Sequence, residues 1–236
     1  MRRMTSKELM NELNNLEDPV RAVHSQRFFK TGKGQYGEGD VFIGLTVPQT
    51  RLVCKKYKDL PVDEIEKLLE SPIHEHRLAA VIIMRIQAER ANSVLRKSLY
   101  DLYLRRTDRV NNWDIIDISC HKIVGVYLAD KDRSILYKLA LSKQMWERRI
   151  AIVSTAHFIS KNDLDDTFKL AEILLNDKED LMHKASGWML REAGKKDEAR
   201  LKEFLDKYAS TMPRTMLRYS LEKLHPADRA HYMKMK

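Results

Sequence analysis

MWERRIAIVSTAHFI, residues 145–159, sets Trp146, Ile150, Val153, Ala156 and Ile159 at intervals of four and three, the spacing that brings apolar side chains onto one face of an α-helix. Three further stretches look like it: HEHRLAAVIIMRI (74–86), LMHKASGWMLREA (181–193) and MPRTMLRYSLEKL (212–224). Each carries a basic residue just before its apolar stripe. Those residues are Arg77, Arg149, Lys184 and Arg214, at intervals of 72, 35 and 30, and a helix starting near Trp113 fills the gap in the first interval. A period of 30 to 36 residues with a second helix in each unit predicts an all-α fold, an α-solenoid of HEAT-like repeats. No linker or low-complexity stretch divides it, so residues 1–236 are expected to form one repeat domain. Such stacks curve. The helices bearing the repeated basic residues are expected to line the concave wall and make a basic groove.

The rest of the chain agrees with this reading. Thr5 and Glu8 form a capping box ahead of a helix over 6–16, and Pro19 helps end it. Pro48, Pro61 and Pro72 open helices running through Tyr57, Glu70 and Glu89, because a first-turn residue needs no N–H donor. VFIGLTV (41–47) is the one strand-like alternation, and Gly44 interrupts it.

Composition narrows the class of function. Hydrophobic residues make up 43% of the chain, enough for a packed core, and the longest apolar runs, such as LAAVIIM (78–84), are too short to span a bilayer. A cytoplasmic, soluble monomer is expected. Cys54 and Cys120 lie far apart inside helical patterns, which argues for buried thiols and against a disulfide framework or cysteine-based zinc site. The net charge of +9 points to a polyanionic partner, although solvated helix faces explain it as well.

Three motifs invite chemistry that their setting does not support. GKGQYG (32–37) matches a dinucleotide loop, but RAVHSQRFFK before it reads as helix where a strand is required. A surface loop is expected, with Lys33 able to approach a phosphate backbone. His74 and His76 are two apart, so they cannot face one metal ion as an i, i+4 pair does, and an exposed turn is expected there. Cys120 and His121 are adjacent and do not face each other on a helix.

NNWDIIDIS (111–119) is different. Ile116, Cys120, Ile123, Val124 and Tyr127 form a core stripe, while Trp113, Asp117 and His121 stack at intervals of four on a neighbouring one. Core packing for the indole and a salt bridge or cap for the carboxylate remain open on this helix alone. Two later helices repeat the chemistry: Trp146 with Arg149, and Trp188 with Arg191, each three apart.

These elements resemble the HEAT-repeat DNA alkylation-repair glycosylases, the AlkD-like family, from about residue 20 to the last repeat. GLTVPQTR (44–51) is similar to that family's Gly-x-x-x-Pro-x-x-Arg element, NWDIID to its Trp-Asp-x-x-Asp element, WERRIAI to its arginine helix and KASGWMLRE to its Gly-Trp-x-x-Arg-Glu element. The resemblance implies that Trp113 and Trp188 wall the lesion nucleotide, that Asp117 is the catalytic carboxylate, and that Arg149 and Arg191 hold DNA. Arg51 lies in the first element, and Arg214 continues the basic series. Asn112 stands where the family often has a second aromatic, His157 where a lysine grips the backbone, Phe28 where it has a tyrosine, and Thr46 with Val47 where it has a more polar pair. The implied activity is hydrolytic release of N3- or N7-alkylated purines from double-stranded DNA, without metal or cofactor. A non-catalytic HEAT-type module that binds DNA or a protein partner is the alternative.

Overall fold

The computed structural model describes residues 3–235, and these fall into two compact units that meet in sequence between Ile123 and Val124. In the first unit the helices are α1 (Ser6–Asn14), α2 (Pro19–Phe28), α3 (Val47–Lys56), α4 (Val62–Glu70), α5 (His74–Ala88), α6 (Ser93–Arg105) and α7 (Trp113–Cys120). A π-helical turn, His121–Gly125, continues α7 and contains the boundary. The second unit holds α8 (Ser134–Ala140), α9 (Met145–Ser154), α10 (Ala156–Ser160), α11 (Asp165–Ile173), α12 (Asp180–Gly194), α13 (Glu198–Tyr208), α14 (Arg214–Ser220) and α15 (Pro226–Lys234).

Each unit is built around one helix. α5 packs against α1, α3, α4, α6 and α7, and α12 against α9, α10, α11, α13 and α14. This explains LAAVIIM: a helix covered on all sides has no polar face to keep. Of the expected proline starts only Pro48 falls in a first turn; Pro61 is the residue that caps α4, and Pro72 stands two residues ahead of α5, whose cap is Ile73. Thr5 and Glu8 close a capping box on α1, and Thr46 and Gln49 close another on α3, where Pro48 sits in the first turn. VFIGLTV forms no strand; Val41 makes one isolated bridge to Ile73, and Gly44 sits at φ +86° with the Asp18 carbonyl only 2.2 Å from where a Cβ would be. The chain turns there because only glycine fits. Cys54 and Cys120 are buried thiols, and burial pushes Cys54 up to about 12.

The repeat is real, but its register differs from the expected one. Arg77 Nη1 donates to the carbonyls of Ser71 and Pro72, both at 3.1 Å, and Arg148 Nη1 donates to those of Ser142 (3.0 Å) and Lys143 (3.1 Å). His183 Nε2 contacts the Asp177 carbonyl at 2.6 Å. In each case the side chain reaches back six residues, to a Ser or Asp that also caps the helix start through the N–H of Ile73, Gln144 or Glu179. Arg77, Arg148 and His183 are therefore equivalent, not Arg77, Arg149 and Lys184. They do not line an open wall. Arg77 is 1% exposed and bonded to Asp40, and Arg148 makes a bidentate pair with Asp177 at 2.6 and 3.1 Å.

A second equivalence runs through the glycines. A Cβ on Gly125 would meet the Ser154 carbonyl and His157 Cβ, and one on Gly187 would meet the Met216 carbonyl and Tyr219 Cβ, all within 2.8 Å. The partner residues lie 29 and 32 positions on in both cases. The backbone at each glycine thus approaches the backbone of a later helix at the same register, twice in one unit.

Candidate active site

α7 is short because Asn112 starts it and the π-turn ends its α-helical ladder. Asn112 is fully buried; its Oδ1 accepts from the Trp113 N–H at 2.9 Å, while its Nδ2 donates to Asp40 at 3.0 Å. Ile115, Ile116, Ser119 and Cys120 are buried, and the Tyr103 hydroxyl on α6 shares a 2.8 Å hydrogen bond with Ser119. That fixes the back of the helix. Trp113 and Asp117, one turn apart, remain half-buried. His121 lies within the π-turn, so the expected stack at intervals of four ends at Asp117.

The indole of Trp113 stacks on Phe29, with centroids 5.3 Å apart and planes at 19°, and meets Phe28 edge-on at 6.1 Å. Phe28 is 58% exposed. Sequence reading gave Phe29 no role, and no spacing pattern marks it.

His74, Glu75 and His76 are not an exposed turn. Each is 2% exposed, and each is fully engaged at the start of α5. Glu75 accepts from the backbone N–H groups of Ile43, Gly44 and Leu45 at 3.1, 2.8 and 3.2 Å. His76 lies between Ser71 Oγ and the Asn14 side-chain oxygen, one acceptor role and one donor role, which suits a neutral ring. Burial and the neighbouring Arg77 charge push it down to about 4.

His74 has a carboxylate at each nitrogen: Asp40 at 3.2 Å on Nδ1 and Asp114 at 2.8 Å on Nε2. Both nitrogens must donate, so the ring is an imidazolium. Burial opposes that charge, but Asp114 and Asp40 outweigh burial and push the ring up to about 9. Asp40 also receives Arg77 and Asn112; burial would raise it, and these partners with His74 hold it below the ordinary carboxylate value. Among the described residues no group of three His, Cys, Asp or Glu side chains is placed to hold a metal ion.

In the second unit Trp188 is half-buried on α12, directly after Gly187 at the close approach to α14. Arg191, nearly one turn on, pairs with Glu192 at 3.1 Å and with Glu222. Arg149 differs from the expectation of an open DNA contact: it is 5% exposed, and its Nη1 donates 2.6 Å to the Leu181 carbonyl at the start of α12. His157 is half-buried beside Gly125. Arg214 is exposed, yet its guanidinium caps the end of α15 through the carbonyls of Met233 and Met235. In the first unit Lys33 is exposed, but the N–H groups of Gly32 and Gly34 are taken by Gln35 and Glu38 and are not turned to a ligand. Arg51 is exposed at the rim of a cleft of about 260 Å³ shared with Lys55, Arg85 and Glu89, floored by Ile82, Ile86 and Ile118.

A family pattern described as DNA alkylation repair enzyme matches residues 9–224. A protein described as a predicted DNA alkylation repair enzyme from Enterococcus faecalis has a similar structure, at a TM-score of 0.68 and 17% identity, over 89% of this chain and 97% of that one. At that identity the likeness speaks for the helical fold alone. No curated protein matches the chain. The family pattern takes in α7 with Trp113 and Asp117 and also α12 with Trp188, and the chain belongs to the DNA alkylation repair enzymes.

Proposed function

We propose that this protein is a monofunctional DNA glycosylase that releases cationic N3- and N7-alkylated purines, of the 3-methyladenine and 7-methylguanine type, from double-stranded DNA. The observation that carries the reading is the pair on α7: an indole with one face already stacked, and a carboxylate one turn along, both left half-open by a helix whose other side is locked in the core. The reading takes Trp188 on α12 as a second indole for the lesion.

An alkylated purine of this type already carries a positive charge. Breaking its C1′–N bond sends the electron pair to the purine, which leaves neutral, so no general acid is needed. The charge moves to the sugar. Asp117 stabilises the oxocarbenium-like cation and orients the water that adds to C1′, its proton passing through the carboxylate to solvent. Indole faces attract cations by about 0.5 to 2 kcal/mol. Trp113 and Trp188 therefore favour charged lesions over neutral bases without a pocket that reads a flipped base. Arg51, Arg191, Lys33, Arg214 and His157 supply the phosphate contacts, with Arg149 holding α12 in place behind them. No cofactor is required, the product is an intact abasic site, and the enzyme works as a cytoplasmic monomer.

The test is incubation with duplex DNA containing 7-methylguanine and measurement of free base. Asp117→Asn is expected to slow release by about 10²- to 10³-fold, the range for losing one preorganised electrostatic contact. Binding of DNA with no release from any cationic adduct would replace this reading with that of a non-catalytic module.

A further inference from the structure

The indole of Trp113 stands against a cluster of three other rings. Phe29 stacks on Trp113, and Phe29, Phe42 and His74 pack as a triangle, with centroids 4.9 Å (Phe29 to Phe42, 20°), 4.4 Å (Phe42 to His74, 23°) and 5.1 Å (Phe29 to His74, 39°) apart. The imidazole ties this cluster back to α7. His74 Nε2 returns to Asp114, the residue after Trp113, and His74 Nδ1 meets Asp40, which accepts from Asn112, the residue before Trp113. The indole and the imidazole are thus both attached to the same stretch of α7. Rotating the indole about its side-chain bonds would break the stack, and shifting the backbone would break a buried contact to Asp40 or Asp114.

We infer that Phe29, Phe42 and His74 are positioning residues for Trp113, clamped by Asp40 and Asp114, and that they leave one indole face alone to meet the ligand. The inference rests on the proposed function, in which that face meets a cationic nucleotide. A site of this kind gains from being fixed beforehand, because catalysis by oriented dipoles and faces depends on geometry held before the substrate arrives. The imidazolium is part of the clamp: a neutral ring could satisfy only one of its two carboxylates as a donor.

The test uses full-length protein labelled with 5-fluorotryptophan, which gives three fluorine resonances, that of Trp113 assigned from its loss in Trp113→Phe. In Phe29→Leu and in His74→Gln the Trp113 resonance is expected to shift or broaden while those of Trp146 and Trp188 stay in place. The kcat for 7-methylguanine release is expected to fall about tenfold, with the Kd for undamaged duplex unchanged within about twofold, and Phe29→Tyr is expected to keep both resonance and rate. An unmoved Trp113 resonance in Phe29→Leu overturns the inference, and so does a moved resonance with kcat unchanged. Phe29 is half-buried at the end of α2, so this variant decides the matter even if His74→Gln does not fold. Wild-type protein that releases no base counts against the proposed function; the fluorine readout is independent of it.

Discussion

The start of α9 and the start of α7 solve the same problem in two ways. Both must anchor the first turn of a repeat helix whose N–H groups have no partners within the helix. At α9 the solution is local: Ser142 caps, Arg148 reaches back to the same loop, and Asp177 from the next repeat closes the pair. The starts of α5 and α12 use the same device with Arg77 and His183. At α7 the position equivalent to Arg77 is Ile116, and the anchor comes from residues distant in sequence, Asp40 and His74, acting on Asn112 and Asp114. The local lock needs a long cationic side chain lying across the helix start. The distant one puts a fully buried Ile116 at that position and holds Trp113 through both flanking residues, so the helix that departs from the repeat is the one carrying the candidate chemistry.

The comparison breaks most sharply at its acids. Asp40→Asn leaves His74 and Arg77, both essentially inaccessible, without their shared carboxylate, and stability is expected to fall by about 3 to 5 kcal/mol in urea unfolding. Arg148→Leu strands the buried Asp177 carboxylate and is expected to cost about 2 to 3 kcal/mol, less because the guanidinium it removes was partly solvated. The two should differ in a second way. Base release per folded molecule drops in Asp40→Asn and stays level in Arg148→Leu, if the α7 anchor serves the site and the α9 anchor serves only the stack. Equal losses of rate in both would erase the distinction.

Acid and alkali sharpen it further. His74 is charged in the fold with its pKa raised to about 9, so its contribution is complete below the unfolded value near 6.5 and is lost as pH rises through 9. Asp40, Asp114 and Arg77 are the charged groups around it. His76 is neutral in the fold with its pKa lowered to about 4, so its contribution is complete above 6.5 and is lost as pH falls towards 4. Two histidines two residues apart thus give opposite limbs, and the folded state should be most stable near pH 6.5. His74→Gln is expected to flatten the alkaline limb and His76→Gln the acid limb, read as the thermal midpoint from pH 4 to 9.5. Each tenfold change in proton affinity between the folded and unfolded chain is worth about 1.4 kcal/mol, so the full excursion on each limb is on the order of 3 kcal/mol.

What could be read from the amino-acid order follows the same division. Helices α1, α3, α4, α5, α9 and α12 announce themselves because their apolar spacing and their prolines and caps act within a few residues. The repeat register slipped by one at Arg149 and Lys184, since basic residues stand side by side at 148 and 149 and the partners that distinguish them are backbone carbonyls. Trp113 and Asp117 stood out because four residues make one turn. The cluster behind them did not, because Asp40, His74 and Asp114 are joined across 34 and 40 residues and share no period. The burial of His74 and His76 is equally silent in the amino-acid order, because each ring finds its own partners elsewhere in the fold.

The smallest expected effect concerns the opposite end of the comparison, an ion pair with one partner open to solvent. Arg191 pairs with Glu222, whose side chain is 45% exposed, and such surface pairs add little to stability. Replacing Glu222 by Gln should therefore leave the thermal midpoint where it is. What it changes is the competition for the guanidinium: in the free protein Glu222 occupies it, and a phosphate must displace that carboxylate before Arg191 can contact DNA. With the acid gone, affinity for undamaged duplex is expected to rise about two- to threefold, and the slope of log K against log salt to steepen by up to about 0.9, the increment for one added phosphate contact. The same substitution should leave kcat at saturating DNA unchanged, because Arg191 then acts in binding alone. A rise in kcat instead would mean that Glu222 restrains α12 and Trp188, and that the second unit, like the first, holds its tryptophan through a clamp.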